Sequence, residues 1–460
     1  MKVLLIYPPF QVGHGMGKVM CSPPLSLQTL AGAVPDHDVE ILDLNTNPSF
    51  GVKKLEEKIM YYDLVGMTFM TNMYMVVENI CKIAKRNGVQ TLVGGFHPSL
   101  DPHVIEETRC IDMLVRGEGE ATFKEILEGK PKKNILGLSY RNNGKIHHNP
   151  DRPFIKNLDD LPFPRKDLVD YKPYHYLWTA ADVCETSRGC PYSCNFCCVT
   201  NFYNQTYRVK SPERVIRELS TVPSSQKLIF FVDDNFTLNK RRVSRICDLI
   251  QKTNLNKHLI FVCQSRVDFV ADNPNLIRKM RKSGFICFFL GFESFKQMAL
   301  NRMEKGYTID KVRKCIKVCH DNGIMIFGSF IVGNIGENRE DTLKTFRMIK
   351  ELNIDVMMTN PITPFPGTPL HEEALEKGWL DKDFHWRDWQ FDACMSTPDM
   401  TVEEIDDLVH YSYRDFYLDI GYFLFGRKLL RLSTPKFWWF WKIAPKFLSK
   451  GLNNFMLGID

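Results

Sequence analysis

Apolar residues in this chain fall into short continuous runs, separated by longer stretches whose apolar positions recur at helical spacing. Lys2–Tyr7, Val39–Leu44, Leu64–Phe69, Thr91–Val93 and Met113–Val115 read as buried strands, with helices over Leu25–Val34 and Met73–Arg86. Such alternation predicts a parallel, doubly wound sheet whose ligand crevice lies at the carboxyl ends of its strands. The loops at those ends carry Thr71-Asn72, Gly94-Gly95-Phe96-His97-Pro98 and Arg116-Gly117-Glu118-Gly119-Glu120. Ile135–Tyr140 and Lys145–His148 flank Asn142-Asn143-Gly144, which predicts a β-hairpin within a connecting stretch.

A short strand at Val183–Thr186 opens a second series. Five strands follow, at Lys227–Val232, Leu259–Gln264, Ile286–Gly291, Ile324–Val332 and Asp355–Thr359. Helices are predicted between them at Pro212–Ser220, Lys240–Thr253, Asn275–Ser283, Ile309–Asn322 and Glu340–Leu352. Polar residues crowd the carboxyl ends of these apolar strands: Asp233-Asp234-Asn235, Gln264-Ser265-Arg266, Glu293-Ser294, Gly333-Asn334 and the turn from Thr363 to Pro369. Packing does not explain that clustering, and in barrels the carboxyl ends carry the chemistry. Thr401-Val402-Glu403-Glu404 is a capping box that opens a helix running to about Tyr417.

At 460 residues, 44% hydrophobic and 25% charged, the chain is a folded protein of two or three domains. The pattern divides it at 1–125, 126–179 (a connector), 180–394 and 395–460. Fourteen cysteines are many, yet most are scattered, and Cys263 and Cys287 lie inside strand-like runs as buried thiols. Pro8-Pro9 ends the first apolar run too early for a secretion leader, so a reducing, cytoplasmic setting is expected. The net charge of +6 concentrates at one end. Residues 421–460 hold ten aromatics, seven Lys or Arg and a single acid, Asp460. That composition suits either an interfacial helix on an anionic membrane face or a helix packing its aromatics on the barrel, and not a nucleic-acid surface.

Cys190, Cys194 and Cys197 form a C-x3-C-x2-C triplet with Phe196 immediately before its last cysteine. Three such thiolates hold three corners of a [4Fe–4S] cubane and leave the fourth iron open to a small molecule. A structural zinc site would need a fourth ligand, and no second C-x2-C follows.

The triplet resembles that of the radical S-adenosylmethionine (SAM) superfamily, and the chain resembles its members over most of its length. The resemblance implies a partial (β/α)6 barrel, SAM chelated to the open iron, and reductive cleavage to a 5′-deoxyadenosyl radical, with a flavodoxin or ferredoxin as electron donor. It also implies SAM contacts at Phe196, Asp233, Asp234, Gln264, Arg266 and Glu293, with Pro366 beside the adenine. The first segment is similar to the Rossmann-like cobalamin-binding domain of one large radical SAM class. That likeness implies cobalamin contacts at Thr68, Thr71, Gly94, Gly95, His97, Gly117 and Glu118. The Asp-x-His-x-x-Gly motif that supplies an axial histidine to cobalt is absent; Gly13-His14-Gly15-Met16-Gly17 is the nearest piece. A flavodoxin-like domain that binds nothing, or only substrate, is the alternative.

The architecture most resembles hopanoid methylases and the anaerobic magnesium-protoporphyrin monomethyl ester cyclase. It implies methylation of an unactivated carbon in a lipid or tetrapyrrole, with radical cyclisation or oxidation as the alternative. Two further readings remain. A tRNA methylthiotransferase would place a second cluster on Cys21, Cys81 and Cys110. A non-enzymatic cobalamin or iron–sulfur sensor would bind cofactor without cleaving SAM.

Overall fold

The computed structural model describes residues 1–9, 20–47, 50–176 and 179–419. Strand β1 (Lys2–Tyr7) is central to a first sheet, and its alternate side chains feed two cores. Leu4 and Ile6 enter one, with the helix Tyr74–Arg86, while Val3 and Leu5 enter the other, with Leu27 and Phe123. Burial on both faces is why the strand reads as an unbroken apolar run. After β2 (Met20–Cys21) come β3 (Asp38–Asp43), β4 (Leu64–Thr68), β5 (Gln90–Gly94) and β6 (Met113–Val115), then the hairpin β7 (Leu138–Asn142) and β8 (Lys145–His148). The sheet order is β3-β1-β4-β5-β6-β7-β8, parallel through β6 and antiparallel beyond it. The chain turns back at β1/β4, so a crevice is expected where the loop after β4 emerges.

The second sheet is wound in one direction only. Its strands are β9 (His175–Tyr176), β10 (Thr179–Cys184), β13 (Leu228–Phe231), β14 (Ile260–Ser265), β15 (Phe285–Glu293), β16 (Met325–Val332) and β17 (Val356–Pro361). A separate two-stranded ribbon pairs β11 (Ser187–Arg188) with β12 (Arg208–Val209). Neighbours in the sheet from β10 to β17 are neighbours in the chain, all parallel, as a partial (β/α)6 barrel requires. Helices therefore cover one face, where Phe231, Phe236, Phe261 and Phe285 are fully buried in a single large core. The short strand β2 crosses over to pair with β9, so the N-terminal segment contributes to both sheets.

The helix Val402–Tyr417 begins with the expected capping box, Thr401 and Glu404 exchanging both bonds. It packs on β17, where Tyr413 and Tyr417 hydroxyls donate to Thr359 O and Met357 O. Two features differ from expectation. The hairpin expected inside a connector extends the first sheet, because Leu138 and Ser139 pair with β6. The helix Val52–Ile59 is not among the expected elements; it buries Leu55 and Ile59, one turn apart. Residues 421–460, read as membrane-facing or barrel-packing, lie outside the described residues. Among the described residues, no helix is long and apolar enough to cross a membrane.

Phe231 stacks on Phe236, Phe261 and Phe285 with ring centroids 4.6, 5.6 and 5.8 Å away. Phe231→Ala is expected to cost about 3–5 kcal/mol by chemical denaturation. Met298→Ala, at a position 54% exposed, should stay within about 0.5 kcal/mol of the parent.

Candidate active site

The cysteine triplet follows the ribbon strand β11, beyond the carboxyl end of β10, and the four residues before Cys190 are each pinned. Thr186 donates its N–H (2.5 Å) and its hydroxyl to Asp233, and Ser187 Oγ donates to the same carboxylate at 2.8 Å. Arg188 donates to three carboxylates: Glu118 at 2.9 Å, Glu120 at 2.6 Å and Glu185 at 2.9 Å. The Gly189 N–H donates to Asp234 at 3.1 Å. Gly189 has φ +84°, and a β-carbon there would lie 2.3 Å from Thr206 O, so no other residue fits this entry to the loop.

The donor set suits a cubane. A [4Fe–4S] cluster takes each of three thiolates on a different iron, and Cys190, Cys194 and Cys197 lie in one loop. All three cysteines are free thiols. Burial pushes the Cys190 thiol up and that of Cys197 to about 11, so cluster assembly must release protons here. Two cations flank the loop. Arg266 lies 3.4 Å over the ring of Tyr192, within the loop itself. Lys305 is 5.7 Å from the Phe196 ring and pairs with Glu293 at 2.9 Å. Burial alone would push the Lys305 ammonium down, but Glu293 beside it carries it above lysine's ordinary value.

The residues expected to touch SAM separate into groups. Phe196, Arg266 and Glu293 gather around the loop, the last through Lys305, and Gln264 stands half-buried at the carboxyl end of β14. Asp234 lies behind Gly189, its carboxyl pushed up to about 7 by burial and by the neighbouring Asp233 and Glu185. Asp233 is 1% exposed and spends both oxygens on Thr186 and Ser187, which makes it a buttress of the loop rather than a SAM contact. Pro366, expected beside adenine, faces the first sheet, because the turn at Gly367 packs on Leu100. Asn235, expected only among the polar residues at the strand ends, brings its Nδ2 to 4.0 Å from Cys190 Sγ, while Lys305 and Tyr192 carry no sequence-based expectation. Loop residues of these types carry no periodic signal.

A second cavity, of about 100 Å³, opens where the loops after β4 and β5 meet the second unit. Thr71 and His97 line it from one side, and Cys198, Pro366, Trp389 and Phe391 from the other. Gly95 has φ +112°, and a β-carbon there would lie 3.0–3.1 Å from the Phe69 backbone and Thr68 Oγ1, so glycine lets the two loops touch. His97 is 1% exposed; Nδ1 meets Thr71 Oγ1 at 3.1 Å, and buried Nε2 has no partner. An orphaned nitrogen beside closely apposed loops fits a large polar-edged cofactor that supplies the missing bond. Thr68, Thr71, Gly94, Gly95 and His97 are thus brought together. Gly117 and Glu118 are not: Gly117 N–H donates to Ser99 Oγ, and Glu118 is consumed by Arg188 and Arg208. In the aromatic run Phe384, Trp386, Trp389 and Phe391, which is not among the sequence-based expectations, Trp389 and Phe391 line this cavity. Phe391 has φ +70°, an uncommon conformation for a bulky residue.

Cys21 lies in β2, on the edge of the second sheet, while Cys81 and Cys110 share a core of the first. They do not form a second cluster site, so the methylthiotransferase arrangement is absent among the described residues.

Three outcomes are expected. Gly189→Ala should sharply lower iron incorporation during anaerobic reconstitution, with the far-ultraviolet spectrum retained. Cys194→Ala should abolish iron incorporation, whereas Cys198→Ala should keep it. Burial lowers His97 to about 4. The unfolded chain therefore takes up this proton first, and stability falls as pH drops from about 6.5 to 4. His97→Gln should remove up to roughly 3 kcal/mol of that pH dependence in denaturation curves.

Two family profiles match the chain: the radical SAM superfamily over residues 184–349 and the B12 binding domain over 19–127. An uncharacterised methyltransferase of Pyrococcus horikoshii is 36% identical over 431 residues, covering 91% of this chain and 93% of the relative. An anaerobic magnesium-protoporphyrin IX monomethyl ester cyclase of Rubrivivax gelatinosus is 28% identical over 91% of this chain and 78% of its own. Among solved structures, the radical SAM methyltransferase TsrM of Kitasatospora setae, with cobalamin and a [4Fe–4S] cluster bound, has a TM-score of 0.66. It covers 89% of this chain and 85% of its own at 18% identity, which shows a shared fold. The chain therefore belongs to the radical SAM superfamily, in the branch that carries a B12-binding domain, and is an enzyme of the radical SAM methyltransferase type with a [4Fe–4S] cluster, SAM and cobalamin as cofactors.

Proposed function

We propose that this enzyme methylates an unactivated carbon in the hydrocarbon part of an amphiphile, a lipid or a tetrapyrrole. The observation that carries this reading is the inner face of the second sheet. Val262, Phe289, Met325, Phe327, Val356 and Met358 form one apolar cluster there, with Phe289 and Phe327 ring centroids 4.7 Å apart. Most of its members are only half-buried, although the opposite face of the same strands is fully packed. Apolar surface of that kind favours a hydrocarbon occupant. Toward the carboxyl ends the same strands lead to polar Gln264 and Glu293, so a substrate would meet the reaction centre with its polar edge uppermost.

When bound, the cluster with SAM supplies a hydrogen-abstracting radical, and cobalamin supplies the methyl group. Cys190, Cys194 and Cys197 would hold the cluster, and the loops at Thr68–Thr71 and Gly94–His97 would hold cobalamin. The chain's own contribution is placement and exclusion of water. Phe365, Trp386 and Trp389 pack against one another, with centroids 5.6–6.1 Å apart, and shield the second cavity from solvent. Asp234, near neutrality by burial, would ionise beside a cation such as the ammonium of SAM while its Oδ2 keeps the Gly189 N–H. The basic, aromatic composition of residues 421–460 supports delivery of the substrate from a membrane face. The similarity to the cyclase of Rubrivivax gelatinosus favours, as a second reading, radical ring closure without methyl transfer.

The test is anaerobic reconstitution with iron, sulfide and hydroxocobalamin, followed by reduction in the presence of SAM labelled on its methyl group and a lipid and pigment extract. About four irons and one cobalt per chain, release of 5′-deoxyadenosine, and label in an organic-soluble product are expected. Label in a water-soluble product would overturn the amphiphile. SAM cleavage and substrate consumption without label transfer would establish the cyclase-type reading.

A further inference from the structure

The first sheet's side of the second cavity and the cysteine loop lie on different units, and three hydrogen bonds with two short stretches of backbone connect them. Gly95, in the loop that forms the cavity, accepts from Ser99 Oγ at 2.6 Å. The same hydroxyl accepts the Gly117 N–H at 3.0 Å. The next residue, Glu118, accepts from Arg188 at 2.9 Å, and Arg188 precedes Gly189-Cys190. Ser99 is thus the hinge between the two carboxyl-end loops of the first sheet. Glu118, together with Glu120, which accepts from Arg188 at 2.6 Å, is where that sheet grips the cluster loop.

The grip falls on an element that cannot easily stand alone. In the β11–β12 ribbon Arg188 pairs directly with Arg208. Like charges opposite each other in an antiparallel pair destabilise it. Glu118 resolves the conflict, since Arg208 Nη1 donates to both of its oxygens at 2.9 Å while Arg188 holds Oε1. Arg188 and Glu118 are 7% and 8% exposed, so water cannot substitute for the carboxylate. The network also holds unused capacity. Arg208 Nε and Nη2 and Glu120 Oε2 are buried without partners. A small shift of the 117–120 loop would therefore have other pairings to adopt, as a two-arrangement element needs.

We propose that cobalamin at the first sheet and SAM at the cluster loop are thermodynamically coupled through Gly95, Ser99, Gly117, Glu118 and Arg188, with Ser99 and Glu118 as positioning residues. The coupling rests on the cofactor assignment above and adds to it a communication route. Closure of the Gly95 loop on its ligand draws Ser99, and with it Gly117 and Glu118, into the arrangement that holds the cluster loop for SAM. Each ligand then tightens the other by the same factor, because linkage is reciprocal. An enzyme that draws on both cofactors in one turnover would in this way favour the radical step when the methyl carrier is in place.

The test measures the SAM dissociation constant of cluster-reconstituted protein, anaerobically and without reductant, with and without hydroxocobalamin. Wild type, Ser99→Ala and Glu118→Gln are compared at matched iron content. In wild type, hydroxocobalamin should tighten SAM by at least about fivefold, and SAM should tighten hydroxocobalamin by the same factor. In Ser99→Ala, which keeps every charge of the network, the factor should fall to about one while both ligands still bind; Glu118→Gln, which also removes the charge that offsets Arg188 and Arg208, should lower both the factor and the affinity for SAM itself. An equal factor in wild type and Ser99→Ala would overturn the route. A factor of one in wild type, with both ligands bound, would overturn the coupling and leave the cofactor assignment standing. Failure of hydroxocobalamin to bind wild type would overturn both.

Discussion

Everything chemical in this molecule depends on holding the backbone of residues 186–189 still. Ahead of Cys190, Asp233 takes three donors from Thr186 and Ser187, Arg188 satisfies three carboxylates, and Gly189 occupies a left-handed conformation against Thr206. Burying an arginine among acids is expensive in desolvation, and the return in net stability is small. What it secures is position. A three-cysteine cluster leaves one iron without a protein ligand, so a shift of the loop changes where that iron presents itself. Hydrogen-bonded charges in a dry site resist such shifts better than apolar contacts, which tolerate sliding.

The two sheets divide the remaining work according to how they are wound. The first reverses direction beside β1, so apolar cores lie on both of its faces and its ligand-binding loops gather at the carboxyl ends. It can present loops to a ligand but cannot enclose one. The second advances in one direction, so its helices lie on one side and the other carries a smaller, half-buried apolar cluster. The aromatic cluster of Phe231, Phe236, Phe261 and Phe285 stiffens the outer side, while Val262, Phe289 and Met358 are left half-exposed on the inner. That asymmetry separates the scaffold from the site within single strands, residue by residue.

The interface between the units is built from their loops. Arg188 and Arg208 meet Glu118 and Glu120; Phe96 stacks on Phe202 at 4.4 Å; Arg387 reaches Glu78 at 2.8 Å. The second cavity lies within this seam, under Trp389 and Phe391. A ligand there touches both units at once, and the cysteine loop is itself part of the seam. Geometry at one site is for that reason difficult to change without consequence at the other.

Much of this could be read from the chain alone. Period and capping are local, so strands such as Met113–Val115 and the capping box at Thr401 emerge where side-chain alternation and the Thr-x-x-Glu spacing put them. The cysteine triplet is local as well, because Cys190, Cys194 and Cys197 fall within one loop. Pairing across the chain is not. Whether Asp233 faces SAM or Thr186, whether Glu118 serves a cofactor or Arg188, and whether Pro366 lies by the barrel or by Leu100 depends on which loops meet after folding. An acidic residue at a strand's carboxyl end looks the same in either role. Lys305 illustrates the limit: a lysine in a loop is ordinarily solvated, and only the approach of Glu293 made burial of its charge affordable beside the cluster loop. The sequence by itself determined most of the strands and helices and the family, since each depends on neighbours along the chain. Tertiary structure alone decided the partners of the buried charges, because a charge is buried only where another part of the chain arrives to compensate it.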